Sequence, residues 1–299
     1  MKRPTYLYGS AEKEGKHSAS TRIERANTEV INQDGSVETL FPAVKKEINL
    51  VPLSAQKENT VARPLTGKLS QYELGVLKTH DVTILIDKSY SMNTRDCPQV
   101  LGAIRVNNRN PGFMDKLLGD PNAFSRWQWT ATHAYDFSNQ INNVKPDGFK
   151  LVLFSSWREI YDNVKPKDVP GIFLGTNIGS GTKTATILGE QLLLYMKERN
   201  TPGVIKNPLA IAVVTDGLPD NRDNLKEIII HITKQMKSPD EISIAFIQIG
   251  ESGEGREFLQ ELDNDLTKYG AKYDIVDTKT FDQVKVSGLG RAIVDAITE

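Results

Sequence analysis

The chain has 299 residues, of which 38% are hydrophobic and 25% are charged, an ordinary composition for a folded protein. Its 37 basic and 38 acidic residues leave a net charge of −1, which argues against a surface built for nucleic acid or anionic membranes. A single cysteine, Cys97, excludes an intramolecular disulfide, and the four histidines show no metal-ligand spacing. Since no apolar run approaches the roughly 18 residues of a membrane span and no targeting signal is evident, we expect a cytoplasmic protein.

The first 77 residues are polar and have weak periodicity. Alternating runs over 28–33 and 36–41 flank Asp34-Gly35, and an Asp-Gly pair between such runs predicts a hairpin with a type I′ turn. The run over 47–53 is a candidate third strand. The sequence therefore predicts a β-rich N-terminal extension over residues 1–77, which either lies on the main domain or docks as an arm on another subunit.

From residue 78 onward, apolar strand-like runs alternate with helical patterns. The run over 82–86 is continuous and β-branched, as is typical of a strand buried on both faces. Further strands are expected at 149–154, 158–161, 209–214, 242–247 and 272–276. Apolar stripes predict helices around 187–196, 225–236 (with Asp220 or Asn221 as N-cap), 258–269 and 281–298.

This alternation predicts an α/β fold for residues 78–299. We expect a doubly wound, mostly parallel sheet with one short antiparallel edge strand, because the second and third expected strands are joined by a short turn. Such sheets bind ligands at the carboxyl ends of their strands. Candidate functional residues are therefore sought at those ends.

The motif D-x-S-x-S, formed by Asp87, Ser89 and Ser91, directly follows the first buried strand. One carboxylate and two hydroxyls leave the strand end at alternate positions, so a loop can turn all three toward one point. Hard oxygen donors with a single charge suit a hard divalent cation such as Mg²⁺.

Two other strand–loop junctions offer further oxygen ligands. Thr182 follows Gly181 before the helix around 187–196, with Thr184 as a substitute, and Asp216 follows the strand at 209–214. Five protein oxygens with two formal charges would leave a metal with an open coordination position. The predicted metal ligands are Asp87, Ser89, Ser91, Thr182 and Asp216.

The ordered set D-x-S-x-S, Gly-Thr and Thr-Asp-Gly resembles the metal-ion-dependent adhesion site of von Willebrand factor A (VWA) domains. The resemblance spans about residues 80–299, includes Ser125-Arg126-Trp127 at the start of the expected first helix, and is closest to intracellular bacterial members. It implies a non-enzymatic, Mg²⁺-dependent module, with Mn²⁺ or Ca²⁺ as alternatives, that binds an Asp or Glu carboxylate of a partner protein. Such members act in cytosolic multiprotein assemblies as scaffolds or adaptors, sometimes with AAA+ ATPases.

The chain departs from the family pattern in two places. Tyr90 stands where a glycine is common: it either shields the metal or contacts the partner, or it packs on a neighbouring loop. The segment over about 93–123 is longer than the family usually has and carries an apolar patch at 113–118. Because loops on a rigid scaffold carry specificity, this insertion is a candidate for partner selection; the alternative is a structural lid over the first helix.

A metal-dependent phosphotransfer or phosphatase-type enzyme is the alternative of another class, because a strand-end aspartate with Mg²⁺ can be phosphorylated. Ser89 occupies the position where enzymes with a D-x-D-x-T motif have their second acid, and no histidine suggests a general base. The segment 179–184 is not a P-loop, because Thr182 separates Gly181 from Lys183.

Overall fold

The computed structural model describes residues 29–31, 37–39, 67–106, 119–120, 122–217, 219–250 and 253–299. In chain order the strands and helices are β1 (Glu29–Ile31), β2 (Val37–Thr39), α1 (Gln71–Lys78), β3 (Asp81–Asp87), β4 (Arg95–Cys97), β5 (Phe124–Ser125), α2 (Arg126–Ile141), β6 (Phe149–Phe154), β7 (Arg158–Val164), α3 (Val169–Gly175), α4 (Thr184–Arg199), β8 (Leu209–Thr215), α5 (Arg222–Gln235), β9 (Ile242–Gln248), α6 (Gly253–Asp265), β10 (Val276–Lys279), α7 (Phe281–Ser287) and α8 (Leu289–Thr298).

Six strands form one sheet in the order β10-β9-β8-β3-β6-β7. All neighbours in it are parallel except β7, which runs antiparallel to β6 at one edge. This confirms the predicted doubly wound α/β fold. The last strand is placed later than the predicted 272–276, because pairing with β9 begins only at Val276.

The hydrophobic core lies on both faces of this sheet. In β3, Ile84 and Ile86 belong to the core formed with α1, α2, α7 and α8, whereas Leu85 belongs to the core formed with α4, α5 and α6. Since successive residues of a strand point to opposite faces, this alternation buries β3 on both sides, as predicted. None of the described helices combines the length and the apolar character needed to cross a membrane.

The N-terminal hairpin strands are also present. β1 and β2 pair antiparallel, with Ile31 opposite Val37. The observed pairing is shifted by one residue from the pairing that the predicted two-residue turn at Asp34-Gly35 would give. The connecting residues 32–36 and the candidate strand at 47–53 lie outside the described residues.

Helix α1 lies within the region that the sequence analysis assigned to the extension. Its Leu77 is completely buried, and Glu73 accepts a hydrogen bond from Arg291 Nε of α8 at 2.6 Å. Ser70 caps the helix through a capping box with Glu73, which satisfies two backbone N–H groups at its start. Residues from Gly67 onward are therefore packed with the main domain.

The predicted single helix over 281–298 is wrong. Gly288, with φ of 80°, separates α7 from α8 in a backbone conformation that residues with a Cβ rarely adopt. A Cβ at Gly290 would lie 2.9 Å from Leu69 Cδ1 and 3.1 Å from Phe137 Cδ2. One glycine thus ends a helix, and the other lets the next helix pack closely against its neighbours.

The order of the strands locates the ligand-binding edge. From β3 the chain first continues to β6 on one side and later to β8 on the other side. The carboxyl ends of β3 and β8 therefore form a topological switch point, where open α/β sheets leave a crevice for ligands.

His133 gives the fold a predictable sensitivity to acid. The residue is 3% exposed, its ring stacks on Trp129 with centroids 3.7 Å apart, and Nε2 has no hydrogen-bond partner among the described residues. Burial lowers the pKa of His133 to about 4, whereas the unfolded chain takes up the proton near 6.5. We therefore expect about 3 kcal/mol of stability to be lost as the pH falls between these values.

The variant His133→Phe tests this expectation, because it keeps the aromatic packing and removes the titrating group. Urea denaturation at neutral pH and near pH 4 should show a smaller loss of stability in the variant than in the wild type. The same loss in both proteins would contradict the assignment to His133.

Candidate metal centre

Asp87 is the last residue of β3 and is completely buried. Its Oδ1 accepts a hydrogen bond from the Ser89 backbone N–H at 2.7 Å, and its Oδ2 accepts one from the Thr215 hydroxyl of β8 at 3.0 Å. Burial, together with the negative charge of Asp216, raises the pKa of Asp87 to about 7. A cation beside this carboxylate would oppose both effects, because it favours the charged form.

Ser89 and Ser91 connect the end of β3 to Asp216. Residues 90–93 form a short 3₁₀ helix that turns both hydroxyls toward the same side. The two hydroxyl oxygens are 3.0 Å apart, and Ser91 donates a hydrogen bond to Asp216 Oδ1 at 3.0 Å. Four of the five predicted ligands are thus joined by consecutive hydrogen bonds across the switch point.

Thr182 reaches the same edge on a third loop. The Gly179 N–H donates to the Lys88 carbonyl at 2.8 Å, which ties this loop to the one after β3. The Thr182 N–H donates to Asp220 Oδ1 at 2.9 Å, and the Thr182 carbonyl accepts from the Asp220 N–H at 3.1 Å. The Thr182 hydroxyl forms no hydrogen bond with the described residues. Thr184 is buried at the start of α4, with its hydroxyl 3.5 Å from the Thr182 carbonyl oxygen.

Two glycines allow this loop to approach the end of β6. A Cβ at Gly179 would lie 2.4 Å from Ser155 Oγ, and one at Gly181 would lie 2.4 Å from Ser156 Oγ. Gly181 also has φ of 77°, which favours glycine. The Ser156 hydroxyl donates to the Ser180 carbonyl at 2.5 Å, which anchors the loop between the two glycines.

Asp220 and Asn221 take separate roles. Asn221, rather than Asp220, caps α5, since its side chain accepts from the Asn224 N–H at 2.9 Å. Asp220 is bound to Thr182 instead. Sequence reasoning left both residues as candidate caps, because each has the side chain that capping requires.

Arg126 brings to the site a positive charge to which the sequence analysis assigned no role. Its Nη1 donates to Asp216 Oδ2 at 2.8 Å, and its Nε and Nη2 donate to Asp96 at 3.1 and 2.6 Å. Burial alone would lower the pKa of Arg126, but these hydrogen bonds outweigh burial and raise it. A sequence signal existed: an arginine in the first helical turn opposes the helix dipole and suggests an acidic partner nearby.

Two aromatic side chains are exposed on loops that leave the same edge of the sheet. Tyr90, after β3, is 52% exposed, and Trp157, between β6 and β7, is 63% exposed. Lys183, next to Thr182, is exposed as well. The exposure of Tyr90 favours its availability to a partner over packing on a neighbouring loop.

The insertion over 93–123 is described only in part. β4 pairs antiparallel with β5, so the two ends of the insertion lie side by side next to α2. Cys97 is buried there, and burial raises the pKa of its thiol, which argues against a reactive thiolate. Residues 107–118, which include the whole predicted apolar patch at 113–118, lie outside the described residues.

The donor set fits a hard divalent cation. Two carboxylates and two hydroxyls are linked by hydrogen bonds at this edge, with Thr182 on a neighbouring loop, and Mg²⁺ and Ca²⁺ prefer such oxygen ligands. Within the described part of the chain there is no group of three or more His, Cys, Asp or Glu suited to a metal, so hydroxyls would have to complete the set. No described histidine contacts these ligands: His80 precedes β3 at its other end, His133 is in the core, and His231 is exposed on α5.

No protein-family model matches the chain, and no curated protein matches it. Among solved structures, the manganese-loaded TRAP protein of Plasmodium vivax is similar, with a TM-score of 0.44 and 14% identity over 73% of each chain. A mutant of the PilB minor pilin from Streptococcus sanguinis has a TM-score of 0.46 and 12% identity, covering 73% of this chain and 59% of the pilin. At these values neither similarity assigns a role to any residue of this chain.

Proposed function

We propose that residues 78–299 form a VWA-type protein-binding module that holds Mg²⁺, or Mn²⁺ or Ca²⁺ in its place, and recognises a carboxylate of a partner protein. The observation that carries this proposal is the chain of hydrogen bonds across the carboxyl ends of β3 and β8. The metal ligands we propose are Asp87, Ser89, Ser91, Thr182 and Asp216.

An Asp or Glu of the partner is the expected last ligand. A divalent cation held by two carboxylates and three neutral oxygens retains affinity for a further anionic oxygen. The exposed Tyr90 and Trp157 support a protein partner. Tyrosine and tryptophan are enriched among the residues that contribute most of the binding energy in protein interfaces. The exposed cation Lys183 also suits an acidic partner.

A binding module is favoured over a phosphotransfer enzyme. A phosphate ester would need more room beside an Asp87 oxygen than a single ion does, and Asp87 is completely buried with hydrogen bonds at both oxygens. Catalysis would also need a general base, and no described histidine contacts the predicted ligands. We therefore expect no turnover of generic phosphate esters in the presence of Mg²⁺.

Calorimetric titration with Mg²⁺ tests the metal site. The wild type should bind one ion saturably, and Ser91→Ala should bind it about tenfold more weakly, because a ligand and the hydrogen bond to Asp216 are lost together. Asp81→Asn is the matched control: it removes a carboxylate from the other end of β3, where Asp81 is paired with Lys206 at 2.9 Å. Absence of saturable binding to the wild type would contradict the proposal.

The N-terminal region is a separate part of the proposal. We expect it to act as an assembly arm in a cytosolic scaffold or adaptor, either between copies of this chain or toward a partner such as an AAA+ ATPase. Deletion of residues 1–66 should then reduce the number of chains per particle, measured by light scattering. The cut precedes Gly67 because α1 is packed with the domain. An unchanged number of chains per particle would favour an extension that only covers the main domain.

A further inference from the structure

Arg126 carries a positive charge at the start of a helix, where a cation is not expected. It is the first residue of α2, where the positive end of the helix dipole disfavours a cation. Its side chain is nevertheless only 11% exposed. Such a position is tolerable only if acidic groups offset the charge, so the contacts of Arg126 indicate what the residue does.

Those contacts surround the Arg126 guanidinium on several sides. Asp216 binds one side of it and Asp96 the other, and the two carboxylate side chains are 3% and 32% exposed. The Arg126 backbone N–H is held by the Thr94 carbonyl at 3.0 Å. A Cβ at Gly250 would lie 2.2 Å from Nε, so the backbone after β9 packs directly against the guanidinium.

These contacts place the positive charge of Arg126 directly beside Asp216, which is a predicted metal ligand. Asp216 is held at Oδ1 by Ser91 and at Oδ2 by Arg126, so a bound metal ion would share this carboxylate with a cation. Like charges in a partly buried site repel appreciably. Asp96, which lies in the insertion, offsets part of the guanidinium charge.

We propose that Arg126 sets the affinity of the site for its metal ion: its charge weakens binding, and its pairing with Asp96 restores part of that loss. This inference rests on the proposed function, because it takes Asp216 as a metal ligand. It connects the insertion to the site, since any displacement of Asp96 from Arg126 leaves the guanidinium charge to act on Asp216 alone. A partner that contacts the insertion would thereby change metal affinity.

Titration of charge variants with Mg²⁺ tests the inference, because it predicts for each variant whether the Mg²⁺ affinity rises, falls or stays the same. Arg126→Gln should bind Mg²⁺ about tenfold more tightly than the wild type, whereas Asp96→Asn should bind it several times more weakly. Arg126→Lys keeps the charge and should remain near the wild-type affinity. A purely structural role for the ion pairs would instead weaken binding in all three variants.

Arg199→Gln is the matched control, because Arg199 is also 11% exposed and paired with an acid, Glu241, away from the site. It should leave the affinity unchanged. If the wild type binds and Arg126→Gln does not bind more tightly, the inference is overturned and the proposed function stands. If Arg126→Gln does not fold, Arg126→Lys decides beside Asp96→Asn: wild-type affinity in the lysine variant with weaker binding in Asp96→Asn supports the inference, and weaker binding in both overturns it. A wild type that binds no Mg²⁺ overturns both.

Discussion

Replacing Asp87 by asparagine is expected to abolish Mg²⁺ binding and, at the same time, to stabilise the metal-free chain. The affinity should fall at least about 100-fold, because one of the two proposed carboxylate ligands is lost. The stability should rise by about 2 kcal/mol at neutral pH, since the buried carboxylate, whose pKa is raised to about 7, is costly to ionise there. The hydrogen bond that asparagine cannot reproduce offsets part of that gain.

Two measurements separate these effects. Calorimetry gives the Mg²⁺ affinity, and urea denaturation in EDTA gives the stability of the metal-free form. The pH dependence has a defined sign: the Asp87 contribution makes the metal-free wild type less stable as pH rises from about 4 to about 7. Asp81→Asn, at the other end of the strand, should show neither effect. Unchanged Mg²⁺ affinity in a folded Asp87→Asn protein would exclude Asp87 as a ligand.

Removing divalent cations is expected to release the partner protein. With the full chain as bait, a partner retained from native lysate in Mg²⁺ should be lost in EDTA, because the proposed metal ion would bridge the two proteins. Trp157→Ala should weaken retention in Mg²⁺ by about 2 kcal/mol, the scale of a central aromatic residue in an interface. This variant should leave the core intact, since Trp157 is 63% exposed.

Tyr72→Ala provides the comparison for this second prediction. Tyr72 is 71% exposed on α1, the helix that leads into the amino end of β3, so its loss should leave retention unchanged. Retention that is insensitive both to EDTA and to Trp157→Ala would place the interface elsewhere on the molecule. Equal losses for Trp157→Ala and Tyr72→Ala would indicate a nonspecific apolar contribution.

Local patterns predicted the main strands well, because burial on two faces requires continuous apolar runs. The runs at 149–154, 209–214 and 242–247 match β6, β8 and β9 closely. The strand-end position of Asp87 followed from the same pattern. The prediction of a single C-terminal helix was wrong because the apolar periodicity continues through Gly288. Only the positive φ of Gly288 shows that the backbone turns there.

By itself, the sequence determined the alternation of strands and helices, the strand-end placement of Asp87 and Asp216, and a donor set suited to a hard cation. The tertiary structure alone decided which charges meet at that edge. Arg126 contacts Asp96 at 30 residues' separation and Asp216 at 90, and Ser91 contacts Asp216 at 125. These contacts depend on the order of strands in the sheet. Local periodicity reports which face of an element is buried, but it carries no information about which elements become neighbours.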